Sequence, residues 1–83
     1  MKFLYFAWVK DRLGKAGEDL NPPAEVTTVA ELLDWLASQG PAYETALAER
    51  QRIRVAVNQS FAEPGDAVVA GDEVAIFPPV TGG

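Results

Sequence analysis

The residues best suited to chemistry are the last ones, Pro78-Pro79-Val80-Thr81-Gly82-Gly83. Two prolines stiffen the base of this run and two glycines form its tip. Glycine has no Cβ, so it passes narrow channels and takes backbone angles closed to other residues. The six residues, fully extended, reach roughly 20 Å. This pattern suits delivery of the Gly83 carboxylate into another protein's active site, with Gly83 as the reacting residue and Pro78, Pro79, Val80, Thr81 and Gly82 as the inserted segment. Most termini are merely frayed, but a chance Gly-Gly ending is expected only about once in two hundred sequences.

Side-chain catalysis has little to build with. The sequence holds no cysteine and no histidine, which removes thiol nucleophiles, imidazole bases and the commonest transition-metal ligands together. Asp72 and Glu73 are adjacent and point opposite ways on a strand, so they form no acid–base pair. Any activated group, sulfur included, must ride on something other than a side chain.

The tail needs a body to hold it. With 83 residues, 48% of them hydrophobic, the chain supports one domain near the lower size limit of a self-sustaining core. We expect that domain over residues 1–77 and the tail over 78–83. The run Lys2 to Val9 is aromatic and β-favouring and reads as a first strand, with Gly17 to Leu20 as its hairpin partner, stopped by Asn21-Pro22-Pro23. Thr28-Val29-Ala30-Glu31 fits a capping box. The helix it starts carries Val29, Leu32, Leu33 and Leu36 as one apolar stripe, with Gly40-Pro41 as the stop. A shorter helical stretch follows around Tyr43 to Glu49. Ile53 to Val57 reads as a strand, Asn58-Gln59-Ser60 as a turn, Phe61-Ala62 as a brief extended piece and Pro64-Gly65-Asp66 as another turn. Val68 and Val69 should plug the core from a loop. Glu73 to Phe77 is the last strand, ended by Pro78-Pro79. A hairpin, a crossing helix and three more strands make an α+β layer arrangement, the β-grasp layout of ubiquitin.

Strand alternation assigns the faces. Lys2 facing water turns Leu4, Phe6 and Trp8 outward and Phe3, Tyr5 and Val9 inward. Glu73 facing water turns Ala75 and Phe77 outward, leaving Val74 and Ile76 in the core with Ile53, Val55 and Val57. The outer face then carries Phe6 and Phe77, and an apolar patch of this kind is expected to be a partner interface.

Partners of other kinds are disfavoured. The net charge of −5 argues against nucleic acid, whose binding draws on clustered Lys and Arg, and Arg50, Arg52 and Arg54 read as a solvated strand edge. No apolar run approaches the length of a membrane span, and no cleavable leader follows Met1-Lys2, so a cytoplasmic protein is expected.

The run Gly71-Asp72-Glu73-Val74-Ala75-Ile76-Phe77-Pro78-Pro79-Val80-Thr81-Gly82-Gly83 resembles the end of molybdopterin synthase small subunits, members of a ubiquitin-like sulfur-carrier family. The likeness extends more loosely to the opening strand, the capped helix and Val57-Asn58-Gln59, and it implies that Phe61, on the short extended piece beside these strands, extends the interface of Phe6 and Phe77. It implies that a ubiquitin-activating-type adenylyltransferase uses ATP to adenylate Gly83, that sulfur displaces the AMP to leave a thiocarboxylate, and that the tail donates this sulfur to cyclic pyranopterin monophosphate within the large synthase subunit, in a heterotetramer. The chain itself would bind no cofactor and no metal. A thiamine-pathway sulfur carrier and a ubiquitin-like protein modifier are the alternatives that share the ending.

Overall fold

Phe3 and Tyr5 alternate inward from strand β1 (Lys2–Tyr5), and both are fully buried, as parity requires. In the computed structural model, which describes residues 1–79, the strand stops there. Phe6 caps a helix, α1 (Ala7–Leu13), where the aromatic run had suggested continued extension to Val9. Ala7 enters the left-handed region at φ 54°, and from there the i,i+4 pairs Val9/Leu13 and Trp8/Arg12 take over. Val9 is buried as expected, but from a helix face. Gly14 ends α1 in the left-handed region at φ 75°, its N–H donating to Lys10 O, as helix C-termini favour.

The partner of β1 is β2 (Gly17–Asp19), antiparallel as expected but joined through α1 instead of a tight turn. Gly17 is required by proximity, because a Cβ there would sit 2.6 Å from the carbonyl oxygen of Phe3. Leu20 falls outside the strand, although its N–H still reaches Met1 O at 3.0 Å.

Helix α2 (Val29–Ala37) starts with the full capping box. Thr28 Oγ1 accepts from the Glu31 N–H at 3.2 Å, and Glu31 Oε1 accepts from the N–H groups of Thr28 and Thr27 at 3.2 and 3.0 Å. Such a cap contributes about 1 kcal/mol. Val29, Leu32, Leu33 and Leu36 are all buried. The helix ends before Gly40-Pro41, and that pair instead opens α3 (Pro41–Ala46), where the missing proline N–H costs nothing. The helical stretch expected over Tyr43 to Glu49 is therefore shifted toward the N-terminus. A 3-10 turn spans Arg50–Arg52. Only Arg54 stands on a strand, so the three arginines do not form the expected strand edge.

Strands β3 (Arg54–Val57), β4 (Ser60–Ala62) and β5 (Glu73–Phe77) complete one sheet of order β2-β1-β5-β3-β4. The central strand β5 runs parallel to β1 and antiparallel to β3. One core cluster joins Phe3, Tyr5, Val74 and Ile76 of the sheet to the apolar stripe of α2. Ile53 is buried just ahead of β3, and Val57 is only partly buried. Of the two loop valines, Val68 is buried, its N–H held by Thr27 O at 2.9 Å. Val69 stays 64% exposed, because its N–H is turned toward the Asp72 carboxylate at 2.9 Å.

A polar cluster ties the sheet to α3. Glu18 Oε2 accepts from the hydroxyls of Tyr5 and Tyr43 at 2.8 and 2.7 Å, and Oε1 accepts from Lys15 Nζ at 3.1 Å. Burial pushes the Glu18 carboxyl up, but donation from Tyr43, Tyr5 and Lys15 together outweighs it and holds the group below the usual carboxylate range. Burial, then the Glu18 carboxylate, push the Tyr5 hydroxyl well above the usual phenol range. A carboxyl whose folded pKa is depressed stabilises above its unfolded pKa and loses that contribution as pH falls through the folded one. Glu18→Gln should thus lower stability by on the order of 1–2 kcal/mol at neutral pH. In urea titrations the gap between wild type and variant should close as acid protonates Glu18; a gap independent of pH would show that the charge is not what holds the cluster.

Candidate functional site

The tail leaves from the best-supported strand of the sheet. β5 is flanked on both sides, and its last residue, Phe77, stands in register with Arg54 of β3. Pro78 and Pro79 follow at the end of the ladder, where no N–H is needed, and both are half-buried. Val80, Thr81, Gly82 and Gly83, which the sequence marks as the chemical segment, lie outside the described residues.

Around that exit the outward face of the sheet is apolar. Val74 and Ile76 are fully buried while Ala75 and Phe77 face out. Phe61 is 81% exposed and Phe6 49%, and the Phe61 and Phe77 rings lie 5.9 Å apart in a tilted pair. Ala56 stands opposite Ala75 on one side and Phe61 on the other. Small residues thus floor a hollow of about 370 Å³ whose walls are Phe6, Phe61, Phe77 and Gln59. The three phenylalanines singled out from the sequence come together here; Gln59, which the sequence places in a turn and which was not singled out for the interface, joins them.

Trp8 does not belong to this face. It rides on α1, half-buried, with the guanidinium groups of Arg12 and Arg52 at 4.9 and 5.4 Å from its ring centroid. Next to the hollow, and sharing Phe61 and Phe77 with it, a groove of about 850 Å³ is lined by Val29, Leu33, Arg54 and Pro79. Arg54 Nη1 donates to the carbonyls of Ile53 and Gln51 at 2.9 and 3.2 Å, while Arg50 pairs with Asp34 at 2.9 Å.

The hairpin carrying Phe61 is pinned to the start of β5. Asn58 Nδ2 donates to Asp72 Oδ1 at 3.0 Å, and Asn58 Oδ1 accepts from the Glu73 N–H at 3.0 Å. The Val69 N–H and the Asn58 amide hold the Asp72 carboxyl below its usual range. Among the described residues, no group of three His, Cys, Asp or Glu side chains could hold a metal ion, and no helix is long and apolar enough to cross a membrane.

Five strands in this order, a capped helix packed against them and a central strand leading out to the C-terminal segment define a ubiquitin-like β-grasp protein. A solved structure of small archaeal modifier protein 1 from Haloferax volcanii superposes with a TM-score of 0.76 at 30% identity, over 96% of this chain and 97% of that one. The sequence matches the ThiS family over residues 3–83, and the chain belongs to that family. It is 37% identical over 83 residues to the molybdopterin synthase sulfur carrier subunit of Escherichia coli (strain K12), covering 100% of this chain and 99% of that protein. The Haemophilus influenzae protein of the same name is 35% identical over 83 residues, with the same coverage.

Proposed function

We propose that this chain is the sulfur carrier subunit of a molybdopterin synthase. What carries the reading is the full-length likeness to two sulfur carrier subunits, joined to a doubly flanked strand that runs directly into Pro78-Pro79 and on toward Gly82-Gly83. Residues 1–77 act as the body and residues 78–83 as the inserted tail. A carboxylate is a poor electrophile, so a ubiquitin-activating-type adenylyltransferase first joins the Gly83 carboxylate to AMP, releasing pyrophosphate from ATP. A sulfur nucleophile then displaces AMP and leaves a thiocarboxylate. The tail, with Pro78, Pro79, Val80, Thr81 and Gly82 as its inserted segment, enters the large synthase subunit and gives up the sulfur to cyclic pyranopterin monophosphate. Two deliveries complete the dithiolene.

The large subunit supplies the catalytic side chains, and this chain supplies a positioned reactant. The chain binds no cofactor of its own, works in the cytoplasm and docks through Phe6, Phe61 and Phe77, in a heterotetramer with the large subunit. Incubated with an adenylyltransferase, ATP and a sulfur source, the protein should gain the mass of one oxygen-to-sulfur exchange; an unchanged mass would overturn the proposal. Replacing the large synthase subunit by thiazole synthase in a reconstitution distinguishes a thiamine-pathway role. The likeness to a small archaeal modifier favours one second reading, conjugation of Gly83 to lysines, which gel shifts of cellular proteins would reveal.

A further inference from the structure

Three non-glycine residues among those described have left-handed backbone: Ala7, Asn58 and Gln59, at φ 54°, 50° and 71°. All three adjoin the aromatic hollow. Ala7 directly follows Phe6, and Asn58-Gln59 is the turn that joins β3 to β4. Two central residues with positive φ make the type I′ hairpin, whose preferred pair is Asn-Gly. Asparagine at the first position is readily explained, since it tolerates this region and its amide ties the turn to Asp72 and Glu73. Glutamine at the second is not. Glycine would relieve the backbone, and the hydrogen bonds that anchor the turn run through Asn58. Strain kept where a simpler residue would serve points to a role for the side chain.

The surroundings suggest which role. Phe6, Ala56, Phe61, Ala75 and Phe77 give the hollow apolar walls and floor, and among the described residues Gln59 is the one polar residue lining it. Among the described residues no charged one lines it, which disfavours a charged group from a partner. A primary amide offers both a donor and an acceptor, the complement of a main-chain peptide group with its N–H and C=O. We infer that Gln59 is a specificity-determining residue of the docking face: it pairs with a peptide group of the large synthase subunit, beside an apolar side chain of that subunit seated in the hollow. The inference rests on the docking reading given above.

The experiment measures affinity for the large subunit by calorimetry, and the thermal midpoint of the free chain, for wild type, Gln59→Gly, Gln59→Leu and Phe77→Asp. Gln59→Gly should raise the midpoint yet weaken binding about tenfold, since a buried peptide group loses its partner. Gln59→Leu, which keeps apolar bulk but no amide, should weaken binding as much with no gain in midpoint. A purely structural turn residue would not move stability and affinity in opposite directions. Wild-type affinity in both Gln59 variants, with Phe77→Asp impaired, overturns the role of Gln59 and leaves the docking face standing. Wild-type affinity in all three overturns the docking face as well. A dimer of the free chain that Gln59→Leu disperses would give the hollow to a second copy and also overturn the inference.

Discussion

Deleting Gly82 and Gly83 is expected to leave the thermal midpoint of the domain unchanged and to reduce sulfur transfer by on the order of a thousandfold or more. The two halves of this result have separate causes. Among the described residues the core cluster ends with Ile76, and the sheet ends with Phe77, so the deletion removes no core side chain. The reaction depends on one carboxylate reaching a distant active site, and a shortened chain withdraws it by roughly 7 Å, far more than an aligned transfer tolerates. A tag fused after Gly83 should have the same effect, because an amide replaces the carboxylate to be adenylated. Calorimetric melting together with mass spectrometry after activation checks both halves. Transfer at the normal rate from the truncated chain would mean that the reacting group lies elsewhere.

Phe77→Asp should weaken binding to the large synthase subunit by about 2–4 kcal/mol, or roughly 30- to 1,000-fold in Kd. Phe77 sits between the Phe61 ring, at 5.9 Å, and the root of the tail. A carboxylate there would enter the desolvated centre of the contact without a partner, which is costly. The free protein should fold nonetheless, since Phe77 faces outward and the β5 side chains that fill the core are Val74 and Ile76. Isothermal calorimetry against the large subunit gives the affinity, and a far-ultraviolet spectrum confirms the fold. Unaltered affinity would move the interface off this face.

Much of the body was legible because it follows local rules. The capping box at Thr28 and Glu31, the stripe Val29, Leu32, Leu33 and Leu36, and the last strand Glu73–Phe77 between a turn and two prolines all lie within a few residues of the signals that mark them. Alternation placed Phe3 and Tyr5 inside and Phe77 outside for the same reason. The opening run misled because aromatic residues favour strands, whereas the pairs Val9/Leu13 and Trp8/Arg12 mark a helix. Choosing between those two patterns depends on α3, against which α1 packs, and α3 is remote in sequence. Val69 was misplaced because its outward course is set by the Asp72 carboxylate three residues on, and hydropathy carries no trace of that bond.

The sequence by itself determined the ending, the absence of thiol and imidazole chemistry, the capped helix and which face each β5 side chain would take. These depend on residue identity and on spacings shorter than one element. Only the tertiary structure decided that β5 lies between β1 and β3, that Gly17 must admit the Phe3 carbonyl, and that Glu18 gathers Tyr5, Tyr43 and Lys15. It also decided that Ala56 faces Ala75 beneath Phe6, Phe61 and Gln59. Each of these is a contact between segments far apart along the chain, fixed by strand register and by the filling of a single core.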